Sequence, residues 1–192
     1  MEISKKIYEE KKALRKRYLS MRKSLSRDEV ERKSLKVIEN IKKTIPIGAR
    51  TFLFYVPINN EVDLLPLARD LFLKRKIILF PRLINYRDIV PYVIEDLFFD
   101  FKPGAYNIPE PDTRPFLSSI DVAFIPGIVF GKDGHRIGYG KRYFDMFLFR
   151  TNILKTMGIC FDFQIVDKIP HTEEDFPLNT VISEKKILNI AR

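Results

Sequence analysis

Apolar residues at helical spacing open the chain. Ile3, Ile7, Leu14, Tyr18, Met21 and Leu25 recur at steps of three, four or seven, the stripe of an amphipathic helix. Lys11 falls on that stripe where another apolar residue belongs, and Arg15 lies one turn further along the same ridge. A cation on an inward face either snorkels along its aliphatic stem or meets an anion, and two in register suit a ligand. Ser26-Arg-Asp-Glu29 then has the form of a capping box, with Leu25 and Val30 as its hydrophobic staple. The helix it opens carries Val30, Ser34, Ile38, Ile41 and Ile45 on one face and stops at Pro46.

The period then changes. Thr51-Phe-Leu-Phe-Tyr-Val56 is a continuous apolar run, as for a strand covered on both faces, and Pro57 ends it. Ile58-Asn-Asn-Glu61 makes a loop, and Asp63 caps a helix reaching about residue 74. Lys76-Ile-Ile-Leu-Phe80 is the next strand, ended by Pro81, which gives a right-handed βαβ crossover. Residues 88–94 and 97–101 predict short strands, with Pro91 placing the first at an edge. Pro103, Gly104, Pro109 and Pro111 make residues 102–111 a loop. Residues 121–125 predict a buried strand stopped by Pro126-Gly127, residues 141–152 a helix, and residues 156–161 and 178–182 the last strands. The alternation predicts an α/β fold: three α/β/α layers around a mostly parallel sheet, two N-terminal helices, and one domain over residues 1–192.

Composition narrows the class. With 45% hydrophobic and 31% charged residues the chain is globular rather than disordered. No run reaches the roughly 18–20 apolar residues that span a bilayer, and no apolar segment follows the N-terminal charges as in a signal peptide. The single cysteine, Cys160, cannot close an internal disulfide and reads as a buried residue in a reducing, cytoplasmic setting. The net charge of +9 favours anionic partners.

Five of the eight glycines, at positions 127, 131, 134, 138 and 140, lie between a buried strand and a helix. Lys132, Arg136, Lys141 and Arg142 add cations there, and a helix N-terminus beyond the carboxyl end of a strand attracts anions. The stretch fits neither familiar nucleotide loop. His135 stands where a P-loop needs its first Gly, and Arg142 where it needs a hydroxyl. A dinucleotide fingerprint would need a third Gly at Tyr143. From these residues alone the stretch is an anion loop or a purely structural glycine turn.

Arg136-Ile-Gly-Tyr-Gly-Lys-Arg-Tyr-Phe-Asp145 resembles the R-L-G-x-G-K-G-Y-Y-D signature of 5-formyltetrahydrofolate cyclo-ligases. The likeness continues in Lys11-Lys-Ala-Leu-Arg15, Phe54-Tyr-Val-Pro-Ile-Asn-Asn-Glu-Val-Asp63, Asn107-Ile-Pro-Glu-Pro111 and the Pro126-Gly127 loop, in order over nearly the whole chain. The resemblance implies an ATP- and Mg²⁺-dependent enzyme that turns 5-formyltetrahydrofolate into 5,10-methenyltetrahydrofolate, ADP and phosphate. The formyl oxygen is phosphorylated, N10 attacks the activated carbon, and phosphate leaves as the ring closes. By matched position, Lys11, Arg15, Arg136, Ile137, Gly138, Tyr139, Gly140, Lys141, Arg142, Tyr143 and Phe144 bind ATP, with Lys141 and Arg15 as the catalytic cations. Val56 and Glu61 line the folate site, joined by Tyr139 and Tyr143, and Asp145 and Asp175 hold Mg²⁺.

The resemblance further implies a monomer acting on free or polyglutamylated folate, without nucleic acid or membrane. Arg142 replaces the usual Gly, so either its φ is negative or the close phosphate approach is altered. Phe144 replaces the second Tyr, and Asn179 stands where an Asp is usual. His135 reads as a loop histidine and, with His171 distant in sequence, neither is expected to bind metal. Two other readings keep parts of the pattern. Sugar-phosphate isomerisation leaves Lys11 unexplained, and an RNA surface would need its aromatics exposed rather than inside strands.

Overall fold

The computed structural model describes residues 2–85, 88–97 and 100–190, with side chains from residue 5. In chain order the elements are α1 (Glu2–Lys23), α2 (Arg27–Lys42), β1 (Thr51–Leu53), α3 (Leu65–Leu73), β2 (Ile77–Ile84) and β3 (Asp88–Val93). There follow β4 (Phe101–Pro103), β5 (Pro109–Pro111), β6 (Ile120–Ile125), β7 (Val129–Gly131), β8 (Arg136–Ile137) and α4 (Tyr143–Arg150). The chain finishes with β9 (Ile153–Ile159), β10 (Ile165–Val166), β11 (Thr180–Ile182) and β12 (Ile187–Asn189).

Seven strands form one sheet in the order β12-β11-β9-β6-β1-β2-β3. The inner five run parallel, and the two edge strands are antiparallel. Strand alternation sorts the core by face. Phe52, Phe54, Ile78, Phe80, Val122 and Phe124 share a cluster with Val37 and Ile41 of α2 and Leu67 of α3. Leu53, Leu79, Ala123, Ile125 and Val181 point the other way, with Phe147 and Leu148 of α4. The three-layer arrangement therefore follows from the apolar runs, because a strand buried on both faces needs a helix on each.

The capping box is present: Ser26 Oγ accepts the Glu29 N–H, and the Glu29 carboxylate accepts the Ser26 N–H at 2.9 Å. α1 takes a different place from the flanking helices. Its Tyr18 packs with Ile128, Val129 and Ile137 on a second, three-stranded sheet, β10-β7-β8. Of the predicted stripe, Ile3's side chain lies outside the described residues and Met21 is exposed.

Several predicted boundaries shift. β2 does not stop at Pro81 but continues to Ile84, where it has left β1 and pairs only with β3. Pro81 faces Pro91 there, so neither strand loses a donor that the other needs. Within residues 102–111 the expected loop contains a short ribbon, β4 against β5, with its tip at Tyr106 and Asn107 in left-handed conformation. Of the strand expected over 97–101, residues 98 and 99 lie outside the described residues, and β4 begins only at Phe101. β12 was not predicted. It is a three-residue antiparallel edge too short to carry a pattern.

Candidate active site

Ligands in open α/β sheets sit beyond the carboxyl ends of the parallel strands. Here that edge is formed by the residues after β1, the Pro126-Gly127 turn after β6, and the glycine-rich stretch from β7 to α4. α1 runs across it. At 100° per residue Lys11, Arg15, Tyr18 and Arg22 fall within about 60° of arc, and Lys11 to Arg22 spans about 16 Å. One helix thus lays three cations in a line over the loops.

At the far end Arg22 is 1% exposed. Its guanidinium donates to the Asn59 carbonyl at 2.9 Å, the Gly127 carbonyl at 2.8 Å and the Tyr139 hydroxyl at 2.5 Å, and lies 3.5 Å from Glu61 Oε1. Glu61 is itself buried; it accepts the Ile58 N–H at 3.0 Å and the Tyr139 hydroxyl at 3.3 Å. Burial pushes the Glu61 carboxyl up to about 7, against the opposing pull of Arg22 and the two hydrogen bonds. The same burial, and then Glu61, raise the Tyr139 phenol. Val56 is half-buried against the first core cluster. The loop bearing Glu61 is tied to α1 by Asn60, whose amide donates to the carbonyls of Arg22, Lys23 and Leu25 at 3.3, 3.3 and 2.9 Å.

In the middle, Arg15 donates to the Gly138 carbonyl at 2.8 Å, and partial burial lowers its pKa. Gly140 has φ +93°, so its backbone favours glycine, while a Cβ there would only touch the Arg15 guanidinium. The Lys141 side chain is exposed and has no partner among the described residues. Ile137 and Phe144 send their side chains into hydrophobic clusters, leaving only backbone to face a ligand. Tyr143 meets the hydroxyl of Tyr106, at the tip of the β4–β5 ribbon, at 3.1 Å.

Arg142, the N-cap of α4, has φ +59°, so the alternative of a negative φ is overturned: the backbone keeps the shape a glycine would take. A left-handed non-glycine residue costs about 1–2 kcal/mol, and the exposed Arg142–Glu174 pair at 2.7 Å returns little of it. Arg142→Gly is expected to stabilise the fold by up to about 1 kcal/mol in urea unfolding, whereas Arg142→Ala, which keeps the Cβ, is not.

At the near end Lys11 Nζ holds both oxygens of Asp175 at 2.6 and 2.7 Å, and Thr172 donates its N–H to the same carboxylate at 2.7 Å. Burial acts against the ionised Asp175, but Lys11 and Thr172 outweigh it and the pKa is lowered. Arg136, buried, lies 3.1 Å from Asp145 Oδ1, which also accepts the Phe176 N–H at 3.2 Å. The two carboxylates expected to hold a metal are thus on adjoining segments, each neutralised by a cation. Asn179 is engaged elsewhere: its Oδ1 accepts the Thr156 N–H and hydroxyl at 2.7 and 2.8 Å, a bridge between β9 and the start of β11. Close by, the histidines that sequence separates are stacked, ring centroids 3.7 Å apart.

Sequence reasoning missed Arg22 and Gln164. Gln164 lies under the Pro126-Gly127 turn and donates to the Gly127 and Ile128 carbonyls at 3.2 and 2.9 Å. The signal for Arg22 was available, since it continues the Lys11–Arg15 ridge by seven residues, but the neighbouring Met21 took its place in the apolar stripe.

Fold and site together define an α/β protein with a line of cations on α1 laid against the glycine-rich stretch and its neighbouring loops. The model of the 5-formyltetrahydrofolate cyclo-ligase family matches residues 7–184, and the chain belongs to that family. The mouse 5-formyltetrahydrofolate cyclo-ligase is 29% identical over 189 residues, covering 91% of this chain and 93% of the relative. The Mycoplasma pneumoniae 5-formyltetrahydrofolate cyclo-ligase is 32% identical over 158 residues, covering 81% and 87%. Among solved structures, the Aquifex aeolicus 5,10-methenyltetrahydrofolate synthetase superposes with a TM-score of 0.83 at 32% identity, over 95% of this chain and 93% of that one. The Mycoplasma pneumoniae 5,10-methenyltetrahydrofolate synthetase gives 0.73 at 26% identity, over 91% and 98%.

Proposed function

We propose that this chain converts 5-formyltetrahydrofolate to 5,10-methenyltetrahydrofolate, consuming ATP and releasing ADP and phosphate. The observation that carries the reading is the line of cations on α1, which joins two chemically distinct ends. Arg15 stands on the glycine-rich loop, Lys11 stands on Asp175, and Arg22 stands beside the buried acceptor Glu61.

At the loop end, Arg15, Lys141 and the backbone amides of residues 138–144 hold the ATP phosphates, and Lys11 exchanges the Asp175 carboxylate for phosphate oxygen. At the other end, Glu61 accepts pterin N–H groups and Tyr139 closes over the ring beside Val56, with Tyr143 completing the wall. The formyl oxygen attacks the γ-phosphorus, ADP leaves, N10 attacks the activated carbon, and the C–O bond breaks as phosphate departs. The protein's share of such a transfer is positioning and neutralisation of charge.

The donor set suits Mg²⁺. Asp145 keeps one carboxylate oxygen without a partner among the described residues, and Asp175 frees its Oδ1 once Lys11 turns to phosphate, while Thr172 keeps Oδ2. When bound, the ion neutralises phosphate charge. We place the activity in the cytoplasm, in one domain acting as a monomer on free or polyglutamylated folate, without nucleic acid or membrane. Among the described residues no helix is long and apolar enough to cross a membrane.

The test is methenyl-folate absorbance on mixing the protein with 5-formyltetrahydrofolate, ATP and Mg²⁺. Folded protein that yields no product refutes the reading. Lys11→Ala should raise the KM for ATP about 10- to 100-fold, as for loss of a charge-assisted contact, with the KM for folate little changed. A rise confined to the folate KM would move Lys11 to the other subsite.

A further inference from the structure

The geometry points to a second cation site, for a first-row transition metal, formed by Asp133, His135 and His171. Their ligand atoms lie within 4.8 Å of one another. Asp133 and His135 sit on the tight turn joining β7 to β8. Asp133 Oδ1 accepts the His135 N–H at 3.2 Å, which fixes the carboxylate and leaves Oδ2 facing the rings. His135 Nδ1 is 3.3 Å from Oδ2, yet it is buried and makes no hydrogen bond among the described residues. A buried nitrogen in that position costs free energy unless something else engages it.

The spacing is that of two ligands of one ion. Donors about 2.0–2.1 Å from a tetrahedral metal are about 3.3–3.4 Å apart. His171 Nε2 is 3.7 Å from the same oxygen. Its ring stacks on His135 with planes 5° apart, so the two ring lone pairs now run side by side. The His171 side chain is 43% exposed, and the site requires it to turn about its own torsions so that Nε2 points with His135 Nδ1 and Asp133 Oδ2 at one ion. An adjoining cavity of about 510 Å³, reached by His135, His171, Glu173 and Asp175, leaves room for water as a further ligand.

Two imidazoles and one carboxylate select Zn²⁺, Co²⁺ or Ni²⁺ over Mg²⁺, which prefers oxygen. His171 directly precedes Thr172, whose N–H holds Asp175 at 2.7 Å, so an ion here would fix the segment that carries Asp175. The inference stands apart from the folate reading, because its test is binding rather than turnover.

The full chain, stripped with EDTA, is titrated with Zn²⁺ by calorimetry and with Co²⁺ by visible absorption. The expected result is about one equivalent bound, not displaced by millimolar Mg²⁺, with affinity at least about tenfold weaker in His171→Ala and Asp133→Asn. His171 is exposed and Asn keeps the Oδ1 acceptor, so both variants should melt like the parent without metal. Absence of binding, equal displacement by Mg²⁺, or undiminished affinity in both variants would each overturn the site.

Discussion

Arg22→Met is expected to lower stability by about 3–5 kcal/mol in urea unfolding, with the slope unchanged. The cost is the Glu61 carboxyl left buried without its cationic partner, together with the Asn59 carbonyl left without its guanidinium donor and the Gly127 carbonyl left with Gln164 alone. Arg22→Met combined with Glu61→Gln should recover part of that loss, since neither charge then remains in the interior. Additive losses in the double variant would show that the pair is not coupled. The pH dependence has a definite sign. Glu61 titrates near 7 in the folded protein and near its ordinary 4.5 unfolded, so between those values only the folded state keeps the proton. Stability therefore falls as pH rises from about 4.5 to about 7, by up to about 3 kcal/mol, and is flat above. Substrate capture runs the other way, because the pterin N–H groups need the carboxylate. kcat/KM for folate should drop below about pH 7, and Glu61→Gln should abolish that limb.

Lys141→Met should reduce kcat by about 10²–10³-fold, the effect of removing one preorganised donor from a developing anion. The side chain is exposed, with no partner among the described residues, so the melting temperature should not move. A loss seen only in the KM for ATP would make Lys141 a binding group rather than a catalytic one. A comparable loss in thermal stability would mean that it supports the loop instead.

Much of this was legible in the chain. The apolar runs at residues 52–54, 78–80 and 122–125 specify a sheet covered on both faces, and Ser26 with Glu29 specifies where α2 begins. Such signals are local, carried by period and by caps that reach only a few residues. The β4–β5 ribbon was hidden because its prolines remove the donors by which a strand is recognised, and it persists only as a two-stranded pair. Of the site, the glycine-rich loop and the cations of α1 were visible as types. What each cation faces was not.

Sequence alone determined the layers and set the glycine-rich stretch between a buried strand and a helix, where it reads as an anion loop or a structural turn. Tertiary structure decided the pairing: Lys11 with Asp175, Arg136 with Asp145, and Arg22 with Glu61. It also decided that Arg142 takes a left-handed backbone and that His135 and His171 meet. The reason is distance. Helical or strand period records which side of an element a residue takes, but not which remote segment comes to lie opposite it. The energy of a buried charge depends on that segment, and only the closed fold supplies it.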